Sequence, residues 1–343
     1  MNFCIVGAGA WGTAVAQYLA NLGHIVTLLP RRMEHALTLS SLRVNEDYLP
    51  GLRFHEDMQI GHSIRPSVLE CDYLFLASPS HALRASCRAI IPFRDEAKEL
   101  KGGIALCKGL EPSTNKFPHE IIQEELGPGF SCGYLTGPSH AHDVAVGKPA
   151  AMVLASNGGE ERLLSLQNAI HSKTLRIYRS NDLMGVALGS CLKNVYAIAA
   201  GLSDGLGLGD NARAALLTRS MSEMMALGQA CGGRSETFMG LSGFGDLIGT
   251  CMGDWSRNRN FGLDLAKGHK AREIIASQKT IVEGFGATSC FLEKSRKLSI
   301  EMPILQEVYA ILHEDKDPGS AILDLMSRDV RAEDDITSEL PSN

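Results

Sequence analysis

The stretch that most constrains the fold is residues 2–30, which carry no Asp, Glu, Lys or Arg. A signal peptide would place positive charge before its apolar run, and a membrane-spanning helix needs about 20 mostly apolar residues. Here glycines and polar residues divide the run into an apolar strand, a glycine-rich turn, a helical pattern and a second apolar strand, at residues 3–6, 7–12, 13–21 and 25–29. We therefore predict a βαβ unit that opens with a dinucleotide-binding turn.

The glycines of this turn meet separate requirements of a bound dinucleotide. Gly7 makes the tight turn, Gly9 lets the backbone approach a pyrophosphate, and Gly12 lets the helix pack close to the sheet. The helix N-terminus then presents free N–H groups and the positive end of its dipole to the phosphates. A glycine-rich turn without function is the alternative, but the strand before it and the helix after it favour nucleotide binding.

Two arginines follow the end of the second strand. A Rossmann fold that binds NAD(H) usually carries an acidic residue there for the ribose 2′-hydroxyl, whereas this chain has Arg31 and Arg32. Guanidinium groups suit a 2′-phosphate, so the sequence favours NADP(H) over NAD(H) as the cofactor. A pair of solvated surface arginines is the alternative, and it leaves both cofactors open.

Composition limits what the rest of the chain can be. With 343 residues, of which 44% are hydrophobic and 21% charged, the chain can bury a sizeable core and form two globular domains. A net charge of −6 without a long basic block argues against nucleic acid as the main partner. The nine cysteines form no CxxC pair, so we expect neither a disulfide framework nor a metal site. A reducing cytoplasm is the location that this composition favours.

Strands that alternate with helical stretches predict an α/β domain with a doubly wound parallel sheet, the Rossmann fold, over residues 1–180. After the first two strands, further strands are predicted at residues 72–78, 103–107, 132–137, 150–155 and 174–180. Helical patterns follow at residues 186–200, 211–230, 236–250, 257–268, 271–277, 289–298 and 304–313. We predict an all-α second domain at residues 181–331 and an acidic, frayed tail at residues 332–343.

One lysine stands in an unusual setting on the first helix of the second domain. Gly185, Gly189 and Lys193 are spaced by four residues, which places them along one stripe of a helix. Small residues below a lysine let that face approach another surface closely, so we expect the Lys193 ammonium to be half buried in a contact zone. A solvated surface lysine is the alternative.

Other candidate residues follow predicted strands, at the carboxyl edge of the sheet where ligands bind in such folds. Lys108 comes directly after one strand, and Gly137 and Ser139 form a turn after another, with N–H groups for an anion or a carbonyl. The alternative is a plain turn without function, with Ser139 as an N-cap. The same strand, Pro, Ser pattern recurs at residues 79–81, where it could line the cofactor. We favour a structural cap for His81, and a catalytic base is the alternative.

A glycine cluster near residue 245 introduces a further group of polar residues. Asp246 lies in this cluster, and Ser256, Arg257 and Asn258 precede a predicted helix. Ser256 suits the N-cap of that helix and Arg257 suits a phosphate. A capped helix with exposed charges is the alternative.

Nine motifs, in the same order along the chain, resemble those of the bacterial-type NAD(P)-dependent glycerol-3-phosphate dehydrogenases. They are GAGAWGTA at 7–14, PSH at 79–81, KGLE at 108–111, GPSHAHDVA at 137–145, LKNVYAIAAGLSDGLGLGDNARAAL at 192–216, FMGLSGFGDL at 238–247, SRNRNFG at 256–262, VEG at 282–284 and MPI at 302–304. The departures are small. Residues 29–35 hold two arginines where the family usually has a glycine and one basic residue, and Asp143 takes the place of a glutamate.

The resemblance implies the reversible oxidation of sn-glycerol 3-phosphate to dihydroxyacetone phosphate with NADP(H) or NAD(H), which supplies glycerol 3-phosphate for phospholipid synthesis. It implies that Lys193 is the catalytic acid and base. The implied substrate contacts are Lys108, Gly137, Ser139, Lys193, Asp246, Ser256, Arg257 and Asn258. The implied cofactor contacts are Gly7, Gly9, Ala10, Trp11, Gly12, Arg31, Arg32, Lys108, Ala141, Arg257, Ile281 and Glu283. The expected partner is this small-molecule substrate, with no nucleic acid and no membrane span, and a homodimer stays open.

The physical chemistry of ketone reduction agrees with the role implied for Lys193. A positioned ammonium stabilises the negative charge that develops on the ketone oxygen and then donates its proton. Burial and the like charge of Lys108 would lower the pKa of Lys193 towards neutrality, whereas Asp246 would raise it. Two rivals remain from the sequence alone: an NADPH-binding redox sensor without catalysis, and a related dehydrogenase that acts on another small hydroxy acid.

Overall fold

A computed structural model describes residues 1–277, 281–329 and 332. Contacts divide the chain into two compact units. The first consists of Met1–Cys107 and Phe117–Leu183, and the second of Lys108–Lys116 and the described residues from Met184 onward. The predicted tail at residues 332–343 lies outside the described residues except for Ala332.

The first unit alternates strands and helices along most of its length. Its strands are β1 (Asn2–Val6), β2 (Ile25–Leu29), β3 (Val44–Asn45), β4 (Leu49–Arg53), β5 (Gln59–Ile60), β6 (Tyr73–Leu76), β7 (Gly102–Ala105), β8 (Cys132–Thr136), β9 (Ala150–Ser156) and β10 (Leu175–Ser180). Its helices are α1 (Ala10–Asn21), α2 (Met33–Leu42), α3 (Ile64–Leu69), α4 (Ser80–Arg94), α5 (Pro118–Leu126), α6 (Ala141–Ala145) and α7 (Glu160–Ile170).

Eight of these strands form one sheet in the order β10-β9-β8-β7-β6-β1-β2-β5, and β3 and β4 form a separate antiparallel pair. The neighbouring strands of the large sheet are parallel with one exception, since β8 and β9 are antiparallel. The predicted doubly wound parallel sheet is therefore confirmed, except at this one antiparallel pair. The connection from β8 to β9 contains only the five-residue helix α6, and antiparallel neighbours do not need the longer crossover that parallel neighbours require. The last predicted strand is confirmed as the edge strand β10.

Close packing explains two glycines of the first turn. Gly7 has a φ of +115°, and a Cβ on it would lie 2.9 Å from the carbonyl carbon of Ala77. A Cβ on Gly12 would lie 2.1 Å from the carbonyl oxygen of Gly7. Because backbone atoms cannot move aside as a flexible side chain can, only glycine lets α1 start directly behind β1.

The second unit is helical within its described residues. Its elements are α8 (Leu183–Gly205), α9 (Gly209–Ala230), α10 (Ser235–Phe238), a π-helical turn (Leu241–Gly245), α11 (Asp246–Met252), α12 (Arg257–Ala266), α13 (Ala271–Ser277), α14 (Glu283–Lys297), α15 (Pro303–His313) and α16 (Pro318–Met326). The single helix predicted at residues 236–250 is wrong, because α10, the π-helical turn and α11 take its place. Helix α14 begins six residues before the predicted start at 289, and α16 was not predicted.

Helix α8 forms the centre of the second unit, with nearly all of its side chains buried. It is long and apolar enough to cross a membrane, but 89% of its most apolar window is buried inside the protein. Burial on all sides is the pattern of a core helix. Glycine lets α8 and α12 approach each other closely, because a Cβ on Gly201 would lie 1.9 Å from the carbonyl oxygen of Arg259 on α12.

Candidate active site

The glycine-rich turn of the first unit has the features that a dinucleotide requires. Gly9 is the N-cap of α1, no side chain caps this helix end, and its first turn carries no acidic residue. The N–H groups of Ala10, Trp11 and Gly12 therefore have no partner within the helix. No atom lies within 4 Å of the place where a Cβ on Gly9 would stand, so the backbone is open to a ligand there. The residues present thus fit the pyrophosphate of NAD(P).

Arg31 and Arg32 lie at the same edge of the sheet as this turn. The N–H of Gly7 donates to the carbonyl oxygen of Leu29 at 2.9 Å, which joins the ends of β1 and β2. Both arginine side chains are exposed. Neither makes a side-chain hydrogen bond or ion pair with any residue in the described ranges, so both guanidinium groups can receive an anionic group.

The second unit buries a lysine and a carboxylate together. Lys193 on α8 is 3% exposed and Asp246 at the start of α11 is 1% exposed. The Nζ of Lys193 donates to Oδ1 of Asp246 at 2.5 Å and to Oγ1 of Thr250 at 2.6 Å. The Nζ of Lys108 donates to Oδ2 of the same aspartate at 2.7 Å. One carboxylate therefore joins two ammonium groups, and the surface alternative for Lys193 is wrong.

The environment of Lys193 lowers its pKa to about 8 from an ordinary value of 10.5. The largest cause is burial, which disfavours the charged amine, and the nearby charge of Lys108 acts in the same direction. The carboxylate of Asp246 raises the pKa but does not cancel these effects. An amine with such a pKa can both donate and accept a proton near neutral pH.

Small residues bring Asp246 to this lysine. A Cβ on Gly189, one helical turn before Lys193, would lie 2.8 Å from the carbonyl oxygen of Ser242 in the π-helical turn. The predicted stripe of small residues below the lysine therefore does face a closely packed surface. Directly after the π-helical turn, Asp246 begins α11, and Thr250 follows one helical turn later. The Thr250 hydroxyl donates to the carbonyl oxygen of Asp246 at 2.6 Å, which leaves its oxygen as an acceptor for Lys193.

Hydrogen bonds between the side-chain amides of Asn194 and Asn258 connect the backbone of Lys108 to the start of α14. Asn194 donates to the carbonyl oxygen of Lys108 at 2.7 Å and accepts from the Asn258 side chain at 3.0 Å. Asn258 in turn accepts from the backbone N–H of Gly284 at 2.9 Å. Neither Asn194 nor Thr250 was predicted from the sequence. Their positions, next to Lys193 and four residues after Asp246, were the available signals.

Arg257 is the first residue of α12, as predicted, and Ser256 is the N-cap, whose side chain accepts from the N–H of Arg259 at 3.3 Å. The Arg257 side chain is exposed. Surrounding protein nonetheless lowers its pKa through desolvation, while the charge of Glu283 acts in the opposite direction. Within the described part of the chain, Arg257 makes no side-chain hydrogen bond or ion pair, which suits a residue that binds an anion.

The remaining candidates fall into separate places. Gly137, Ser139 and Ala141 belong to the first unit, after β8, where Ser139 donates to the carbonyl oxygen of Gly137 at 2.9 Å. The alternative of Ser139 as an N-cap is wrong, because α6 begins at Ala141 and His140 holds the N-cap position. In the second unit, Glu283 begins α14, and Ile281 directly follows residues 278–280, which lie outside the described residues.

Two further features bear on chemistry. His81 lies exposed in the first turn of α4, and Pro79 holds the N-cap position, so the cap expected at His81 is wrong. None of the nine cysteines forms a disulfide, and all nine lie in the described residues. Across residues 1–277, 281–329 and 332, no group of three His, Cys, Asp or Glu side chains could hold a metal ion.

A Rossmann-type unit with an open glycine turn, together with a helical unit that buries a lysine and a carboxylate, defines the class of NAD(P)-dependent dehydrogenases. Residues 2–161 match the family model for the N-terminus of NAD-dependent glycerol-3-phosphate dehydrogenase, and residues 182–323 match the model for its C-terminus. The chain belongs to this family.

Individual proteins agree with this assignment. Glycerol-3-phosphate dehydrogenase [NAD(P)+] of Nitrosomonas eutropha is 42% identical over 335 residues, which cover 98% of this chain and 100% of the relative. The enzyme of the same name from Aromatoleum aromaticum is 41% identical over 334 residues, 97% of this chain and 100% of the relative. The crystal structure of glycerol-3-phosphate dehydrogenase from Coxiella burnetii is 36% identical, has a TM-score of 0.90, and covers 95% of this chain and 99% of that one.

Proposed function

We propose that this chain interconverts sn-glycerol 3-phosphate and dihydroxyacetone phosphate with NAD(P), and that Lys193 is the general acid and base. The observation that carries the proposal is the buried amine of Lys193, whose pKa is about 8 and which is held 2.5 Å from Asp246. A lysine of ordinary pKa would be a poor base near neutrality, and a mobile surface lysine would be poorly placed to transfer a proton.

The proton transfer follows from the bonds of the lysine. When bound, the reduced nicotinamide supplies the hydride to the carbonyl carbon of dihydroxyacetone phosphate. The ammonium of Lys193 directs two of its three N–H groups to Asp246 and Thr250, which leaves the third for the substrate oxygen. As negative charge develops on that oxygen, this N–H stabilises it and then gives up its proton. In the oxidation, the neutral amine accepts the hydroxyl proton.

Asp246 and Lys108 position the lysine and set its charge. Asp246 fixes the direction of the amine and stabilises its protonated form, so that the acid is present before reduction. Lys108 is bound to the other carboxylate oxygen, and its positive charge lowers the pKa of Lys193 against the effect of Asp246. We include Lys108 and Asp246 among the substrate contacts, with Gly137 and Ser139.

Arg257 is the proposed anchor of the substrate phosphate. Its guanidinium is exposed, offers two parallel N–H donors, and lies beside the helix start that Ser256 caps. Asn258, which is held by Asn194 and by Gly284, supports the same helix start. Binding the phosphate away from the reacting carbon fixes the orientation of the carbonyl relative to Lys193.

The cofactor contacts follow the glycine turn and the end of β2. Gly7, Gly9 and Gly12, with the N–H groups of Ala10 and Trp11, would hold the pyrophosphate. Arg31 and Arg32 would hold a 2′-phosphate, so we propose a preference for NADP(H) over NAD(H). The other proposed cofactor contacts are Lys108, Ala141, Arg257, Ile281 and Glu283.

The cellular setting is part of the same proposal. Nine cysteines without a disulfide are typical of a reducing compartment, and we propose that the protein works in the cytoplasm, where it supplies glycerol 3-phosphate for phospholipid synthesis. The division of labour follows the predicted domains: residues 1–180 hold the cofactor, and residues 181–331 supply Lys193 and the phosphate anchor. A homodimer is the assembly to test by light scattering.

One assay separates this proposal from its rivals. Purified protein is given dihydroxyacetone phosphate, or a small keto acid without phosphate, and the absorbance of NADPH or NADH is followed. We expect oxidation of both cofactors with dihydroxyacetone phosphate, faster with NADPH, and none with the keto acid. NADPH binding without any turnover would indicate a redox sensor. Turnover of the keto acid alone would indicate a dehydrogenase of another hydroxy acid.

A further inference from the structure

One buried amide outside the large sheet bonds directly to the glycine-rich turn. Asn45, in the short strand β3, is 1% exposed. Its Nδ2 donates to the carbonyl oxygen of Ala8, inside the turn, at 3.0 Å, and to the hydroxyl of Thr13 on α1 at 2.8 Å. The β3–β4 pair does not belong to the large sheet, so this contact is not a by-product of strand pairing within that sheet.

The amide makes these two bonds and no others in the described residues. Its Oδ1 is buried without a hydrogen-bond donor among them. A buried acceptor without a partner costs free energy, and such costs are concentrated where a side chain serves a purpose other than stability. Both hydrogen bonds that the Asn45 side chain makes are therefore directed at Ala8 and Thr13.

The bond to Ala8 fixes the direction of the next N–H. The carbonyl of Ala8 and the N–H of Gly9 belong to one planar trans peptide, so they point in opposite directions. Because Asn45 holds the carbonyl, the N–H of Gly9 faces away from Asn45. This N–H has no backbone or side-chain acceptor within the described ranges, and no atom lies within 4 Å of a Cβ built on Gly9.

We propose that Asn45 is a positioning residue for the cofactor: by holding the Ala8 carbonyl, it presents the Gly9 N–H to the diphosphate of NAD(P). This inference rests on the proposed role of the glycine turn and adds a residue that acts through it. Without the amide, the Ala8–Gly9 peptide is free to rotate, and part of the binding free energy goes into fixing it again.

The test compares a substitution of Asn45 in β3 with substitutions of two residues on α1. Asn45→Leu keeps the branched shape but removes the donor, and we expect the Kd for NADPH, measured by calorimetry, to rise about tenfold, as for the loss of one hydrogen bond. The KM for dihydroxyacetone phosphate should stay unchanged. Thr13→Val removes one acceptor and leaves the Ala8 bond, so its Kd should rise by less.

Gln17→Met is the matched control. Gln17 is a buried residue of α1, and its side chain accepts from the backbone N–H of His55 at 2.9 Å. It therefore connects the residues that follow β4 to α1 without contacting the glycine-rich turn. We expect this variant to melt at a lower temperature with an unchanged Kd for NADPH. An equal rise in Kd for Gln17→Met and Asn45→Leu would overturn the proposal, because general loosening would then explain both.

Two further outcomes are informative. If Asn45→Leu does not fold, Asn45→Asp carries the same test, since a carboxylate cannot donate to Ala8; an unchanged Kd would overturn the proposal, and a rise that persists at high salt would support it. A wild-type protein that fails to bind NADPH would remove the proposed function itself, and this inference with it. Normal binding by wild type and by Asn45→Leu would remove only the role of Asn45.

Discussion

The Nζ of Lys193 lies 2.5 Å from Oδ1 of Asp246, and both side chains are almost inaccessible to solvent. A carboxylate at this distance normally keeps a lysine protonated to high pH. Here burial outweighs the carboxylate, and the pKa of Lys193 falls to about 8. Asp246 thus holds the Lys193 amine in place, and burial leaves that amine able to exchange a proton near neutral pH.

The pH dependence of the two reaction directions should reflect this pKa. Reduction of dihydroxyacetone phosphate needs the protonated amine, so kcat/KM should be level below about pH 8 and then fall about tenfold per pH unit. Oxidation of glycerol 3-phosphate needs the neutral amine, so its rate should rise up to about pH 8 and then level off. Steady-state rates in both directions over pH 6–10, about two units on either side of this pKa, test the sign. Parallel profiles in the two directions would contradict the role of Lys193.

Arg257→Ala should weaken binding of the substrate more than it slows the chemistry. Loss of a guanidinium–phosphate contact costs about 2–3 kcal/mol, so kcat/KM for dihydroxyacetone phosphate should fall about 30- to 150-fold, mostly through KM. The activity with dihydroxyacetone, which lacks the phosphate, should hardly change. Arg296→Ala removes another exposed arginine of the second unit and should leave both substrates unaffected. Equal losses of kcat/KM with both substrates would show that Arg257 does not bind the phosphate.

Replacing Arg31 and Arg32 by alanine together should reduce the preference for NADPH. Both guanidinium groups are exposed at the end of β2, and only NADPH offers them a 2′-phosphate. We expect the KM for NADPH to rise about tenfold or more, with little change for NADH. Lys173→Ala, which removes an exposed charge elsewhere in the first unit, is the control. A similar rise in KM for both cofactors would show that the two arginines do not contact the 2′-phosphate.

Glu223 should make stability depend on pH. Its buried carboxylate accepts from the backbone N–H groups of Ile304 and Leu305 and from the Tyr196 hydroxyl. Burial is the largest effect and raises its pKa to about 7 from 4.5, against the N–H groups, which lower it. The folded state therefore binds a proton that the unfolded chain has lost, and the stabilisation is present below pH 4.5 and disappears as the pH rises to about 7.

Urea unfolding at several pH values measures this effect. Relative to Glu223→Gln, which cannot titrate, the free energy of unfolding of the wild type should fall by about 1.4 kcal/mol per pH unit between these limits. Glu236→Gln, at an exposed carboxylate of the same unit, should give a difference that does not change with pH. A constant difference for Glu223→Gln as well would mean that its carboxylate titrates normally.

The first βαβ unit could be predicted closely because its signals are local. The predicted strand at residues 25–29 coincides with β2, and the glycine spacing located the turn. Helix α1 begins at Ala10, three residues before the prediction, because Gly12 belongs to the first helical turn as well as to the glycine pattern. Strands and glycines next to each other in the chain carry enough information for this part of the fold.

The geometry of the candidate active site depends on contacts between residues that are distant in the sequence, which no local pattern encodes. Periodicity placed Lys193 on a face of small residues, but the carboxylate that meets it lies 53 residues further on. A 3.6-residue period also could not predict the π-helical turn at Leu241–Gly245, which packs against Gly189 of α8 and leads directly into Asp246. The antiparallel direction of β9 and the hydrogen bond between Asn45 and Ala8 also depend on residues that are distant in the sequence, so neither could be predicted from it.

The most direct test of the account is the variant Lys193→Met, which keeps the length of the side chain but has no amine. With saturating dihydroxyacetone phosphate and NADPH, we predict a fall in turnover of about 10²- to 10⁴-fold, the usual contribution of a general acid. The Kd for NADPH, measured on the same preparation, should stay at the wild-type value, as should both quantities in Lys267→Met, an exposed lysine of the same unit. Turnover at the wild-type rate in Lys193→Met would contradict the central claim.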